Sequence, residues 1–414
     1  MLEKQYPADL RNRVVGARLE KDGKLPYAYA WHPADGPRYF DISNQNTGSG
    51  FSNITASPFF HQLFIPLFEL PQRTVSRIWL GLQYFFLACL IGMTGALTVD
   101  KKIKWMILNV GILFTATEAW KDMIATGQLY FFEGFLMGLI LFSLVRNKKT
   151  TIIFAGIIAA VFVLTRPIGI VIFIPFLFQY KKYLLFLGVS FAALAVYGVF
   201  VLANPYQKAL YRDYVHNMKR HVQMHQQEDP EAETLHATRT SPYPILEGFD
   251  MNEVQHLNTE SPIRIYSENG NIFVIYNKLT RSKLPLAVLN ACSAATILIL
   301  SLWFYFHNRK YPAQDLQIAL FGFTLYMIVE LFNPIHRHQY NTVQWFSLVL
   351  AGFLLITDWR NRAFILLVLG LLLNITNVQW LPMRHLIGEF CWLTAMLTLV
   401  FSSRFNQPAW KKPS

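Results

Sequence analysis

An all-α polytopic membrane protein of about eleven transmembrane helices, with two loop regions on the outer face, is the fold class this sequence predicts. Three observations predict it. The 414 residues are 53% hydrophobic and only 15% charged, and mean hydropathy is positive, a composition that suits a bilayer. Apolar stretches alternate with short polar loops along most of the chain. Six clusters of Lys and Arg fall on one side of that alternation: Lys101/Lys102/Lys104, Arg146/Lys148/Lys149, Lys181/Lys182, Arg309/Lys310, Arg360/Arg362 and Arg404/Lys411/Lys412. Short basic loops stay in the cytoplasm, so everything opposite them is expected outside. The formal charge of +12 sits largely in these loops, which argues for orientation in a membrane and against a nucleic-acid partner. Cys89, Cys292 and Cys391 all lie in apolar stretches and read as packing residues.

Residues 1–75 come first. They carry eight Lys/Arg and have neither a spanning stretch nor a signal-peptide core. Moving such a tail outward without a leading apolar helix is unfavourable, so a first transmembrane helix is expected upstream of Met1. Within the tail, Ala8 to Tyr27 reads as a short helix, with Asp9 near its start, Gly23 as its stop and a modest apolar face of Val15, Gly16 and Leu19. Asp9 is open to two readings, a catalytic base or a helix cap. The next stretch, Ser52 to Pro71, is apolar but broken by three prolines, which suits a helix lying at the interface.

A span needs about 20 apolar residues. Eleven segments are predicted: 76–98, 103–118, 128–145, 151–165, 167–180, 183–203, 285–307, 315–333, 341–357, 362–379 and 385–402. Pro167 divides the fourth from the fifth, and only two separate spans keep the flanking basic clusters on one face. The domain plan is then an outer loop (1–75), helices (76–203), a second outer loop (204–284), helices (285–402) and a cytoplasmic tail (403–414). The second loop holds the acidic run Glu228 to Glu231 and turn signals at Ser241-Pro242-Tyr243-Pro244 and Asn269-Gly270.

The outer side collects the polar residues that merit a chemical reading. Lys121 and Asp122 are either a substrate contact or an interfacial ion pair, with Gln128 following after Gly127. Arg166 stands where two spans meet, and a guanidinium there suits a phosphate or a lipid headgroup. The segment Asn333 to Tyr340 is dense in donors: His336, Arg337, His338 and Tyr340. Glu330, one turn inside the preceding span, is costly there unless paired. His336 and His338 lack a Cys or Asp to complete a metal set. His221 and His225 share a helical face without the glutamate of an HExxH motif. No metal and no cofactor is expected. The stretch from Tyr211 to Gln227 reads instead as a basic interfacial helix on anionic lipid.

In this order the motifs resemble those of the polytopic GT-C glycosyltransferases, most closely glycosyltransferase family 87, which includes polyprenol-phosphate-mannose-dependent mannosyltransferases. The matching residues are Asp9, Gly16-Ala17-Arg18, Gly23 to Tyr27, Ser57-Pro58-Phe59-Phe60, Ile65-Pro66-Leu67, Gly127-Gln128, Arg166-Pro167, and Asn333-Pro334 through His338-Gln339-Tyr340. Leu10 stands where the family has an aromatic, and Asn333 where it has Ser. The resemblance implies a GT-C-like helical bundle in the bacterial cytoplasmic (inner) membrane, transferring a sugar from a polyprenyl-phosphate donor to a lipid or glycan acceptor on the outer face. It implies Asp9 as the base on the acceptor hydroxyl. Lys121, Asp122, Gln128, Arg166, His336, Arg337, His338 and Tyr340 would be substrate-binding. Two rival functions share these features: a transporter or flippase for a lipid-linked saccharide, and a non-catalytic subunit that binds polyprenyl lipid.

Overall fold

The chain folds into helices almost throughout. In its first half these are α1 (Ala8–Lys21), α2 (Pro58–Phe68), α3 (Gln72–Gly95), α4 (Lys101–Phe114), α5 (Glu118–Thr126), α6 (Tyr130–Arg146), α7 (Lys149–Thr165), α8 (Ile174–Leu177) and α9 (Tyr180–Ala203). There follow α10 (Pro205–Gln227), the two-residue strands β1 (Ile245–Leu246) and β2 (Phe249–Asp250), α11 (Met251–Glu260), α12 (Ile272–Thr280) and α13 (Leu286–Lys310). The last are α14 (Asp315–Leu331), α15 (Phe346–Leu354), α16 (Arg362–Ile375) and α17 (Arg384–Val400). The structure is a computed structural model, and it describes residues 6–42, 52–227, 241–260, 270–335, 337–356, 360–375 and 383–402. Two units emerge. One comprises Met1–Tyr84, Asp122–Leu129 and Ala195–Tyr266; the other comprises Phe85–Lys121, Tyr130–Leu194 and Ser267–Ser414.

The first unit is built around α1. The helix stops where expected: Gly23 takes φ +72°, and the Gly23 and Lys24 amides donate to the Glu20 and Leu19 carbonyls at 3.1 and 2.8 Å, satisfying the last turn. The expected modest apolar face is an underestimate. Leu10, Val14, Val15 and Leu19 are buried, and so are Arg11, Asn12, Arg13, Arg18 and Glu20 on the polar side. Burial of those charges is tolerable because each is paired. Arg11 and Arg18 both reach Glu247, at 2.9 and 2.5 Å, and Glu20 meets His61 Nδ1 at 2.6 Å. Helix α2 begins at Pro58 behind the Ser57 cap and lies close on α1. A Cβ on Gly16 would stand 2.5 Å from the His61 ring. Strands β1 and β2 pair antiparallel, Ile245 opposite Asp250, and carry Glu247 in their turn. Helix α10 is clamped to the backbone after residue 51: Asn217 donates to the Ser52 and Ile54 carbonyls, both at 3.0 Å, and His221 Nε2 to Ser52 at 2.9 Å. His221 is therefore a buried packing histidine, and the exposed side of α10 presents Lys208, Arg212 and Lys219 instead.

The second unit is the apolar bundle. Helix α14 is buried along nearly its whole length and is its centre. Glycines allow close crossings: a Cβ on Gly322 would fall 2.5 Å from the Ile172 carbonyl, and one on Gly388 2.9 Å from that of Gly370. Every one of the eleven predicted segments falls on a helical element. Their number as membrane spans is not thereby fixed. Among the described residues three helices are long and apolar enough to cross: α3, α9 and α13. The pair α5 and α6, bent by 114°, makes a fourth at most. The segment 167–180 is a 3₁₀ stretch (Pro167–Phe173) running into the single turn α8. Eleven such residues reach only about 20 Å, short of a hydrocarbon core of about 30 Å. Pro167 sets that outcome by starting a new element instead of extending α7. The segment 341–357 likewise opens as a 3₁₀ stretch (Gln339–Trp345) before α15. Apolar side chains of α9 and α13 such as Val199, Leu202, Leu298 and Ile299 point outward, as contact with lipid requires.

Candidate active site

In the first unit the chain brings Asp9 and Gln128 together. Asp9 sits in the first turn of α1, but Pro7 is the cap residue and no side chain caps that end. The Asp9 carboxylate instead accepts a hydrogen bond from Gln128 Nε2 through Oδ2. Gln128 Oε1 in turn accepts from Arg13 Nη2 at 2.5 Å, and Arg13 Nη1 donates to the Asp9 carbonyl. Asp9 is half-buried, and among the described residues nothing donates to Oδ1. Burial pushes the Asp9 carboxyl above its ordinary value. The Arg13 guanidinium and the Gln128 hydrogen bond pull it down, and the Asp41 carboxylate nearby adds to the rise. Asp41 is fully buried and accepts from Asn12 Nδ2 at 3.1 Å.

Gly127 makes the approach possible. Its φ is +71°, and a Cβ there would lie 2.6 Å from Leu10 Cβ and 2.9 Å from Pro7 Cβ. Only glycine lets the chain pass so close to the first turn of α1 and present Gln128 to it. The Trp79 indole N–H holds the Gln128 carbonyl at 3.4 Å.

The other residues of the first outer-facing set behave differently from one another. Asp122 is buried, whereas Lys121 is exposed and pairs with Glu118 at 3.4 Å. Asp35 is held by the Tyr29 hydroxyl at 2.8 Å.

In the second unit Arg166 forms a two-pronged pair with Glu330, Nε to Oε1 at 2.8 Å and Nη2 to Oε2 at 2.9 Å. This is the partner that an acid inside an apolar helix requires. Glu330 is buried while a quarter of the Arg166 side chain is exposed, and Nη1 has no protein partner among the described residues. The guanidinium lies 5.8 Å from the centre of the Tyr130 ring. Tyr130 stacks on Tyr340 at 5.5 Å, and His338 follows at 5.1 Å. Arg166, His338 and Tyr340 thus come together. Arg337 is engaged by a different acid. It is buried and its Nη1 meets Glu389 Oε2 at 2.5 Å, with the Thr342 hydroxyl on the other oxygen of the same acid. His336 lies outside the described residues. Beneath Arg166, Glu133 accepts from Gln344 at 2.6 Å and from the Tyr326 hydroxyl at 3.2 Å. No cluster of metal ligands occurs among the described residues.

Sequence reasoning overlooked Arg13, although its spacing of four from Asp9 put both on one helical face. It overlooked Glu133 too, an ionisable residue inside an apolar helix, which is a readable signal. Glu247 gave none: it is 229 residues from Arg18.

Residues 55–241 match the model of glycosyltransferase family 87, the family whose motifs the chain resembles. That stretch contains Gln128 and Arg166, while Asp9 and the segment 333–340 lie outside it. No curated protein and no solved structure matches. That stretch is similar to a glycosyltransferase family, and the apolar helices mark an integral membrane protein.

Proposed function

We propose that the protein transfers a sugar from a polyprenyl-phosphate donor to a lipid or glycan acceptor on the outer face of the bacterial cytoplasmic membrane, with inversion at the anomeric carbon. The observation that carries the reading is the Asp9 carboxylate. One oxygen is fixed by Gln128, the other has no donor among the described residues, and burial strengthens the carboxylate as a base. In the reaction the acceptor hydroxyl oxygen attacks the anomeric carbon as its proton passes to Asp9. The bond from that carbon to the phosphate oxygen breaks, and its electron pair leaves with the polyprenyl phosphate. General-base assistance of this kind is worth about 10²–10⁴ in rate.

Departing phosphate needs positive charge. Arg166 is kept for that role from the family resemblance; Glu330 fixes one edge of its guanidinium, and among the described residues Nη1 has no protein partner. Lys121, Asp122 and His336 are kept as substrate contacts from the family resemblance alone. Arg337 is engaged by Glu389, which favours a scaffolding part.

Asp9→Asn keeps size and hydrogen-bonding shape but removes the charge. In proteoliposomes carrying a polyprenyl-phosphate sugar, transfer by this variant is expected to fall about 10²–10⁴-fold with thermal stability unchanged. Near-normal transfer by a folded Asp9→Asn protein would remove the proposal. A rival transporter would move the lipid-linked sugar across vesicles without forming a new glycoside, and Asp9→Asn would leave that movement intact.

A further inference from the structure

We infer that Arg13 and Gln128 form a positioning relay that holds Asp9 ionised and aims its free oxygen at the acceptor, with Gly127 as the hinge that permits it. The inference rests on the base role proposed for Asp9 and adds what makes that role possible.

Three contacts close the relay, and their polarity leaves one arrangement. Arg13 has only donors, so the Gln128 side chain must turn its oxygen to the guanidinium. Its NH₂ group then faces Asp9 and can only donate. A donor aimed at Oδ2 favours the ionised carboxylate over the acid. Gln128 thus conveys the preference of the cation to a carboxylate. Because Arg13 also holds the Asp9 carbonyl, backbone and side chain are fixed by one guanidinium. Among the described residues Oδ1 has no donor, and a second charge-bearing partner there would have blocked the substrate. Asp41 is the opposing influence: its negative charge beside Asp9 favours the acid form. Arg13 is the cation set against it, and Gln128 the neutral donor. Arg13 and Gln128 themselves touch no reacting atom in this scheme and act through Asp9.

Gly127 is the sequence feature that this explains. A Gly-Gln pair at the foot of α6 is required in that order. The left-handed φ and the 2.6 Å approach to Leu10 exclude any side chain, and the next residue must bear both an acceptor and a donor.

The test is the titration of Asp9, read two ways on the full chain in proteoliposomes. Infrared difference spectra against the Asp9→Asn background report protonation of that one carboxyl, independent of turnover. The pH profile of sugar transfer reports the base in action. In Arg13→Gln the infrared midpoint is expected to rise by about one pH unit or more, the effect of removing a neighbouring cation. The acid limb of the profile should move with it. Transfer below the new midpoint should be lower by about tenfold or more, and recover at higher pH. Arg13→Lys, which keeps the charge, should restore most of the midpoint. Should Arg13→Gln fail to fold, Gln128→Met gives the same reading by removing the donor. An unmoved midpoint, or a rate reduced equally at every pH, would overturn the relay. A midpoint that rises while the acid limb stays in place would uphold the relay and sink the base role of Asp9 instead.

Discussion

Replacing Glu247 by Gln should open the hairpin of β1 and β2 while leaving the rest of the chain folded. Glu247 Oε1 accepts from Arg11 Nη1 at 2.9 Å and Arg18 Nη1 at 2.5 Å; Oε2 accepts from Arg18 Nη2 and the Gln72 amide, each at 2.9 Å. The two guanidinium groups are 0% and 3% exposed, and Glu247 is 17% exposed. Taking the counter-charge from a buried pair costs about 3–5 kcal/mol. Here the lower end applies, about 3 kcal/mol, because both arginines also donate to backbone carbonyls. Arg11 reaches those of Phe40 and Pro37, and Arg18 those of Phe68 and Leu70. Glutamine keeps the shape but turns an NH₂ group toward donors. Limited proteolysis of the full chain in detergent tracks such opening when reclosing is fast. Cleavage in residues 241–260 should accelerate on the order of a hundredfold, since each 1.4 kcal/mol is a factor of ten. The pH dependence has a definite sign. Burial raises the Glu247 carboxyl, but the two arginines outweigh it and hold it below its ordinary value. Its contribution is therefore complete above the unfolded value and disappears as pH falls through the folded one. Cleavage of the unsubstituted protein should accelerate on acidification, while Glu247→Gln should be flat over that window. A change in cleavage of less than about threefold at neutral pH would refute the reasoning, because the carboxylate would then not be holding the two cations.

The remaining predictions are local. Arg166→Ala strands the buried Glu330 and should cost about 3–5 kcal/mol of stability; Arg166→Ala with Glu330→Gln should recover most of it, as thermal unfolding of both variants would show. Recovery of stability without recovery of transfer would assign Arg166 to phosphate, while full recovery of transfer would remove it from the reaction. Gly16→Ala ordinarily favours a helix by up to about 1 kcal/mol, but here the new Cβ would stand 2.5 Å from a ring fixed by Glu20 and Tyr27. Net destabilisation of about 1–3 kcal/mol is expected from overpacking, and a raised melting temperature would contradict it.

How far the sequence could be read depends on the range of the forces involved. Hydrophobic length is local, so each of the eleven apolar stretches falls on a helical element among the described residues, and Gly23 ends α1 as its backbone freedom requires. Local too is the effect of Pro167, which ends one helix but does not say that the next eleven residues tighten into a 3₁₀ stretch. That choice follows from close packing, in which Gly322 lets α14 lie against the Ile172 carbonyl. Whether each helix crosses a bilayer depends on how helices share the hydrocarbon thickness, which composition alone leaves open.

Site residues divide along the same line. Gln128 and Arg166 were visible as polar residues where an apolar chain resumes, Asp9 as an acid at a helix start singled out by the family resemblance, and Glu330 as an acid that needed a partner. Which partner it finds is a contact across 164 residues, and no spacing rule reaches so far. The deepest miss is α1 itself. Its sequence, with four basic and two acidic residues in fourteen, reads as a wet surface helix, yet most of its charges are enclosed. Arg11 and Arg18 pair with Glu247, Glu20 with His61, and Arg13 is hydrogen-bonded to Gln128 and the Asp9 carbonyl. A helix enclosed in this way cannot adjust its charges by turning them to water. The ionisation of Asp9 is therefore set first by burial and then by fixed neighbours, Arg13 and Gln128 opposing the rise that burial and Asp41 produce.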